Sequence, residues 1–135
     1  MRILCAEDNA TNRKVIQLML EANGHALDFA VNGQEAVILF LENDYSLILM
    51  DMEMPIMTGL QATRKIRGLE QRQGRNRTPI LFLTGNDDAD HIQAGHEAGA
   101  DGHLVKPFSP ETLITAILEA TRKAQNAPMP STDVA

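Results

Sequence analysis

LILMDMEMP, residues 47–55, begins with four large apolar residues and then turns acidic at Asp51 and Glu53. A strand with one wet face alternates in polarity, whereas a strand covered on both faces reads as an unbroken apolar run. SLILMD therefore reads as a central strand of a parallel sheet, with Asp51 fixed at its carboxyl end. Pro55 and Gly59 mark a loop before a helix carrying Leu60, Thr63, Ile66 and Leu69, which the polar residues from Glu70 to Thr78 end.

The same alternation extends in both directions. Upstream, Arg2 to Ala6 forms a first strand, and Asp8, Asn9 or Thr11 caps a helix through Val15, Ile16, Met19 and Leu20 that stops at Gly24. HALDFAV follows as a second strand, then Asn32 and Gly33, then a helix with Ala36, Val37, Phe40 and Leu41 on its apolar face. Downstream, PILFLT is the fourth strand and GHLV the fifth, and a last helix carries Leu113, Ile114, Ile117 and Leu118. The helix between them, around Asp88 to Ala98, is weak: Gly95 interrupts it and Ile92 is its one large apolar side chain. It is the expected mobile element. Five βα units make an α/β domain, an open parallel sheet with helices on both faces, since right-handed crossovers place each helix over the sheet. The length excludes an eight-unit barrel.

With 135 residues and 44% hydrophobic content, the chain supports one globular domain, expected over 1–124. The remainder, 125–135, is rich in Ala, Pro, Ser and Thr and reads as a disordered tail or linker. A formal charge of -6 gives no electrostatic reason to bind nucleic acid or anionic lipid. No apolar run approaches the ~18 residues that span a bilayer, and no signal peptide is legible. Cys5 stands alone in an apolar run, as a small core residue, which suits a reducing cytoplasm.

In an open α/β sheet, ligands bind beyond the carboxyl ends of the strands. Here those ends carry Glu7 and Asp8, Asp51, Thr84 and Lys106. Singly, each has an ordinary role: a helix cap, a turn or a solvated lysine. Jointly they put three carboxylates, a hydroxyl and an ammonium on one edge. Gathered carboxylates repel unless a cation joins them, and Mg²⁺ suits oxygen ligands of this type. An Asp beside Mg²⁺, Lys and Thr is a plausible nucleophile toward phosphorus. Gly85 leaves room for a phosphoryl group, or simply forms a turn.

On the acidic pair of ILCAEDN, Asp51 in MDMEMPIMTG, Thr84 in LFLTG and Lys106 in LVKPF, the chain from about Arg2 to Arg122 resembles the receiver domain of two-component response regulators. The wording EDNATNRKV and MDMEMP is similar to receivers of hybrid sensor histidine kinases. The resemblance implies a flavodoxin-like five-stranded sheet of order 2-1-3-4-5 and a cytoplasmic signalling switch, not an enzyme, with self-catalysed phosphotransfer and autodephosphorylation. It implies Asp51 as the acceptor of a phosphoryl group from the phosphohistidine of a histidine kinase or a histidine phosphotransfer protein. Mg²⁺, for which Mn²⁺ can substitute, would be held by Glu7, Asp8, Asp51 and the Glu53 backbone carbonyl. Thr84 and Lys106 would bind phosphoryl oxygens, and a cis peptide before Pro107 would aim the lysine. Glu53, Gly85 and Asn86 would tune the lifetime of the phosphorylated state.

Two positions depart from the family pattern. Gly85 stands where Ala is usual, and His103 where Tyr or Phe is common. In the family's switch the hydroxyl moves toward the phosphoryl group and an aromatic ring turns inward, reshaping the surface around the fourth helix and fifth strand. His103 is the candidate for that ring, with Thr84 as the hydroxyl; an exposed histidine at a strand end is the plain alternative. His91 and His96 lie five apart, a poor spacing for one helical face, and His25 opens a strand alone, so no metal is assigned to any of them. A Mg²⁺-dependent phosphohydrolase is disfavoured because this acceptor follows the third strand and no cap domain is present. A nucleotide or flavin binder is disfavoured because no GxGxxG or Walker loop follows the first strand, where Glu7 and Asp8 would repel phosphate.

Overall fold

The computed structural model describes residues 1–85 and 88–126, with side chains through Ala124. Its elements run β1 (Arg2–Ala6), α1 (Ala10–Glu21), β2 (Ala26–Ala30), α2 (Gly33–Glu42), β3 (Leu47–Asp51), α3 (Gly59–Gln73), β4 (Ile80–Thr84), α4 (Ala89–Ala98), β5 (Gly102–Val105) and α5 (Pro110–Asn126). All five strands are parallel, in the order β2-β1-β3-β4-β5. The expected α/β architecture and strand order are both present.

β3 and β4 are buried along their whole length, which explains their unbroken apolar runs. Side-chain alternation divides them between two cores. On one face Leu4, Ile48, Met50, Ile80 and Phe82 pack with Phe40 of α2 and Ile66 of α3. On the other, Ile3, Cys5, Leu49 and Leu83 pack with Ile16 and Leu20 of α1 and with Leu113 and Ile117 of α5. Burial pushes the Cys5 thiol well above its usual range, so it is an inert core residue.

Asn9 caps α1 through the Asn12 amide, Asn32 caps α2 through the Glu35 amide, and Thr58 with Gln61 forms a capping box on α3. Gly59 is required where it stands. A Cβ there would overlap the carbonyl oxygen of Asp51, so α3 starts hard against the end of β3.

Several sequence expectations are corrected. Val15, Leu41 and Leu118, assigned to apolar faces, are exposed; they lie at the borders of their stripes, outside the neighbours' reach. α3 ends inside the expected polar stretch, but not at Glu70. Glu70 is buried inside the helix, accepting from the Thr78 amide at 2.6 Å and from Arg67 at 2.8 Å, and the helix stops at Gly74 in the left-handed region. His25 precedes β2, and its Nδ1 lies 3.4 Å from the N-terminal amine. α5 continues through Asn126, so the first two residues of the expected tail, 125 and 126, are helical; 127–135 lie outside the described residues.

Candidate functional site

The sheet delivers its polar residues to one edge because β1, β3, β4 and β5 are adjacent and parallel. Glu7 and Asp8 follow β1, Asp51 closes β3, Thr84 closes β4 and Lys106 follows β5. Asp51 pairs with Leu83, so Thr84 lies one step beyond it on the neighbouring strand. Ligand oxygens of Glu7, Asp8 and Asp51 all come within 4.8 Å of one another. Glu7 is fully buried and Asp51 nearly so, while Asp8 is exposed and leaves the cluster open to solvent on its side.

Glu7 is held by several donors. Its Oε1 accepts from the Lys106 ammonium at 2.7 Å and from Asn12 Nδ2 at 3.4 Å, and its Oε2 accepts from the Asn9 amide at 3.1 Å. Arg13 donates to the Glu7 carbonyl at 2.9 Å, fixing the β1–α1 turn. Asn12 and Arg13 are contributors the sequence reading missed. Their only signal was position, one turn into the helix that follows the acidic pair. Lys106 also lies 3.3 Å from Asp51 Oδ2, while Asp51 Oδ1 accepts from the Glu53 amide at 3.2 Å. The Lys106–Pro107 peptide is cis.

These contacts split the two buried carboxyls. Burial opposes charge on Glu7, but hydrogen bonds from Lys106 and the Asn9 amide outweigh it and hold the Glu7 carboxyl below its usual range. For Asp51, burial first, then the hydrogen bond and charge of Glu7, push the carboxyl up to about 7. Burial works against the Lys106 charge too, yet the Glu7 hydrogen bond and the Asp51 charge raise its ammonium pKa. In the absence of a further cation, the pair therefore places its charge on Glu7 and its proton on Asp51. An all-oxygen donor set with excess negative charge fits a hard divalent cation.

The other predicted residues sit as follows. The Glu53 side chain is exposed in the β3–α3 loop, and a Cβ on Gly85 would meet nothing within 4 Å. Asn86 lies outside the described residues. His103 is exposed on β5, in register with Phe82 two residues before Thr84. Parallel pairing and period-2 alternation put Thr84 and His103 on the same face of the sheet, the one α4 covers. There His103 lines a cavity of about 90 Å³ together with His91, Ile92, Gly95 and His96. Sequence spacing alone gave no sign that three histidines share one cleft.

The family model for the response regulator receiver domain matches residues 3–118. The transcriptional regulatory protein ResD of Bacillus subtilis is 38% identical over 124 residues, covering 91% of this chain and 49% of that protein. SrrA of Staphylococcus aureus is 36% identical, again with 92% of this chain against 49% of the relative. The chain thus spans about half the length of these relatives. Among solved structures, the magnesium-bound receiver domain of the sensor histidine kinase PA1611 from Pseudomonas aeruginosa superposes with a TM-score of 0.81 at 33% identity, covering 90% of this chain and 97% of that one. The receiver domain of Ssk1 from Saccharomyces cerevisiae, solved with the histidine phosphotransfer protein Ypd1, gives 0.87 at 27% identity, covering 91% and 90%.

Proposed function

Because this chain belongs to the response regulator receiver domain family, we propose that it takes a phosphoryl group from a phosphohistidine onto Asp51 and uses the new charge to reshape the surface around α4 and β5. The observation that carries the reading is the grouping of Glu7, Asp8 and Asp51 oxygens within 4.8 Å with the Lys106 ammonium between Glu7 and Asp51.

The step follows from those positions. An ionised Asp51 oxygen attacks phosphorus, the P–N bond to the donor imidazole breaks, and the imidazole departs as the neutral ring after taking up a proton. Glu7, Asp8, Asp51 and the Glu53 carbonyl would hold Mg²⁺, or Mn²⁺ in its place, which would supply neutralising charge for the phosphoryl oxygens. Lys106 serves the same end, since its ammonium already reaches Asp51. The Thr84 hydroxyl donates to a phosphoryl oxygen, and Gly85 leaves space for the group. Glu53 and Asn86 set how readily water reaches the acyl phosphate. His103 is the ring that follows Thr84, since both belong to the α4 face of the sheet.

The donor is a histidine kinase or a histidine phosphotransfer protein. Support comes from the Ssk1 receiver solved with Ypd1 and from the hybrid-kinase receiver among the structural relatives. No described helix is long and apolar enough to cross a membrane, and the net charge of -6 argues against nucleic acid as a ligand of this domain. Its place of action is the cytoplasm.

Incubation with acetyl phosphate and Mg²⁺ tests the proposal. Intact mass should rise by one phosphoryl group, with the adduct base-labile, dependent on the metal and absent in Asp51→Asn. A wild-type protein that stays unmodified, or an adduct that persists in the Asn variant, refutes the assignment.

A further inference from the structure

α4 is held very unevenly along its length. Its buried residues are Gly95 and Ala98, both in the second half, while Ala89, Asp90, Ile92 and Gln93 in the first half are exposed. At Gly95 the helix backbone approaches the sheet so closely that a Cβ would press against the Phe82 ring at 2.8 Å. The first half is held by its N-cap, Asp88, which accepts from the His91 amide at 2.8 Å, and the cavity of about 90 Å³ runs under both halves, lined from the helix by His91, Ile92, Gly95 and His96.

The C-terminal end is also tied down by charge. The Gly99 carbonyl accepts from Arg67 Nε and from Arg77 Nη2, each at 2.9 Å, which places two guanidinium groups on the negative end of the helix dipole. Arg67 is itself immobilised, since it donates to the Glu70 carboxylate and the Thr78 carbonyl at 2.8 Å and to Asp101 at 2.9 Å. Asp101 in turn accepts from Arg77 at 3.0 Å and from the Ile80 amide at 2.9 Å. Gly99 has φ +110, and a Cβ there would strike the Arg67 side chain at 2.8 Å. α3, the start of β4, the end of α4 and the head of β5 are thus one cross-linked body, at the edge of the sheet opposite Asp51.

We propose that Arg67 and Arg77 are positioning residues that pin the Gly99 end of α4, so that a signal from Asp51 swings the first half of the helix about that end rather than shifting the whole element. Packing at Gly95 and the clamp at Gly99 fix the pivot, while the first half of the helix, 89–93, contributes no buried residue. This deepens the receiver reading and rests on it only for the source of the signal.

Hydrogen exchange of the whole chain, read by residue and repeated with acetyl phosphate and Mg²⁺, tests the pivot. In unmodified wild type, amides of 98–103 should exchange at least about tenfold more slowly than those of 88–94, the scale of one lost charge-assisted hydrogen bond. On phosphorylation, followed separately by intact mass, the change should concentrate in 88–94. Arg67→Met should abolish the gradient and spread the response into 98–103, Arg67→Lys should restore part of it, and Arg77→Gln, at a half-exposed position, should reproduce a milder form in a folded protein. Equal exchange at the two ends of α4 in unmodified wild type, or gradients unaltered in the Arg67 and Arg77 variants, overturns the pivot whether or not Asp51 reacts. Loss of the mass gain alone would instead strike the phosphoacceptor assignment.

Discussion

Replacing Asp51 with Asn should stabilise the metal-free protein at pH 8 and do far less at pH 5. In the folded state the Asp51 carboxyl keeps its proton up to about 7, because burial and the Glu7 carboxylate both oppose its charge. In the unfolded chain the same group ionises near its ordinary value of about 4. Between those limits the folded state binds more protons than the unfolded one, so stability falls as pH rises. At ~1.4 kcal/mol per tenfold, a window of about three pH units caps the loss near 4 kcal/mol, and sharing of the proton with Glu7 brings the expectation to about 2–4 kcal/mol. Glu7 has the opposite sign: its folded pKa is depressed, so its contribution is complete above its unfolded value near 4.5 and is lost as pH falls further. The two windows therefore separate. Asn removes the charge while its amide can still donate to Glu7. In urea melts at pH 8 without metal, the midpoint of Asp51→Asn should exceed wild type by about 0.7 M or more, given a slope of ~1–3 kcal/mol/M. The gap should shrink at pH 5, and Mg²⁺ should shrink it at pH 8 by stabilising the wild type. A gap that is independent of pH, or an Asn variant weaker at pH 8, would show that Asp51 is not strained by its neighbours.

Lys106→Met should destabilise the fold by about 1–3 kcal/mol in urea melts, because it leaves the buried Glu7 carboxylate without its 2.7 Å partner, and it should abolish modification by acetyl phosphate. Thr84→Ala should keep the mass gain at Asp51 but lose the accompanying change in amide spectra across α4 and β5; an unchanged spectral response would remove Thr84 from the switch. Gly59→Ala should cost about 1–3 kcal/mol and weaken Mg²⁺ binding measured by calorimetry, since the added methyl would push the Asp51 carbonyl out of line.

The centre of the sheet was legible because its strands are dry on both sides. LILMD and ILFLT carry four apolar residues each before a polar terminus, and both are buried throughout. The edge is less explicit: β2 is only partly buried, so HALDFAV suggested a strand one residue too early at His25 and one too late at Val31. Helix faces blurred for a related reason. A 3.6-residue period defines a stripe but not its width, so Val15, Leu41 and Leu118 were included at margins no neighbour covers. Glu70 was misread because its burial depends on Arg67 and on the Thr78 amide, contacts that follow from the turn back into β4 and not from any local pattern. The clustering of His91, His96 and His103 is likewise a matter of how α4 lies over β5. The acidic pair, Asp51, Thr84 and Lys106 were legible because a parallel sheet sends every carboxyl end to the same edge, and each of these residues breaks or follows an apolar run at that end.

The dryness that made LILMD recognisable also sets the chemistry of its last residue. A strand end this well packed cannot yield when Asp51 is crowded by Glu7, because Gly59 closes on the Asp51 carbonyl and Met50 and Met52 are buried on either side. The repulsion is therefore retained in the pKa of Asp51 instead of being relieved by movement. A site in that condition gains from any added positive charge, and most of all from a divalent cation that meets Glu7, Asp8 and Asp51 together. Binding such a cation would return Asp51 to its ionised form, the one the proposed transfer needs. On the proposed role of Asp51, metal occupancy and readiness to accept a phosphoryl group become one equilibrium, and the metal concentration giving half-maximal modification should fall as pH rises from 5 to 8. Measuring the initial rate of the mass gain from acetyl phosphate across a Mg²⁺ series at several pH values tests this directly: a half-saturation point that does not move with pH would mean that Asp51 is already ionised without the metal, and the coupling between its burial and its chemistry would be wrong.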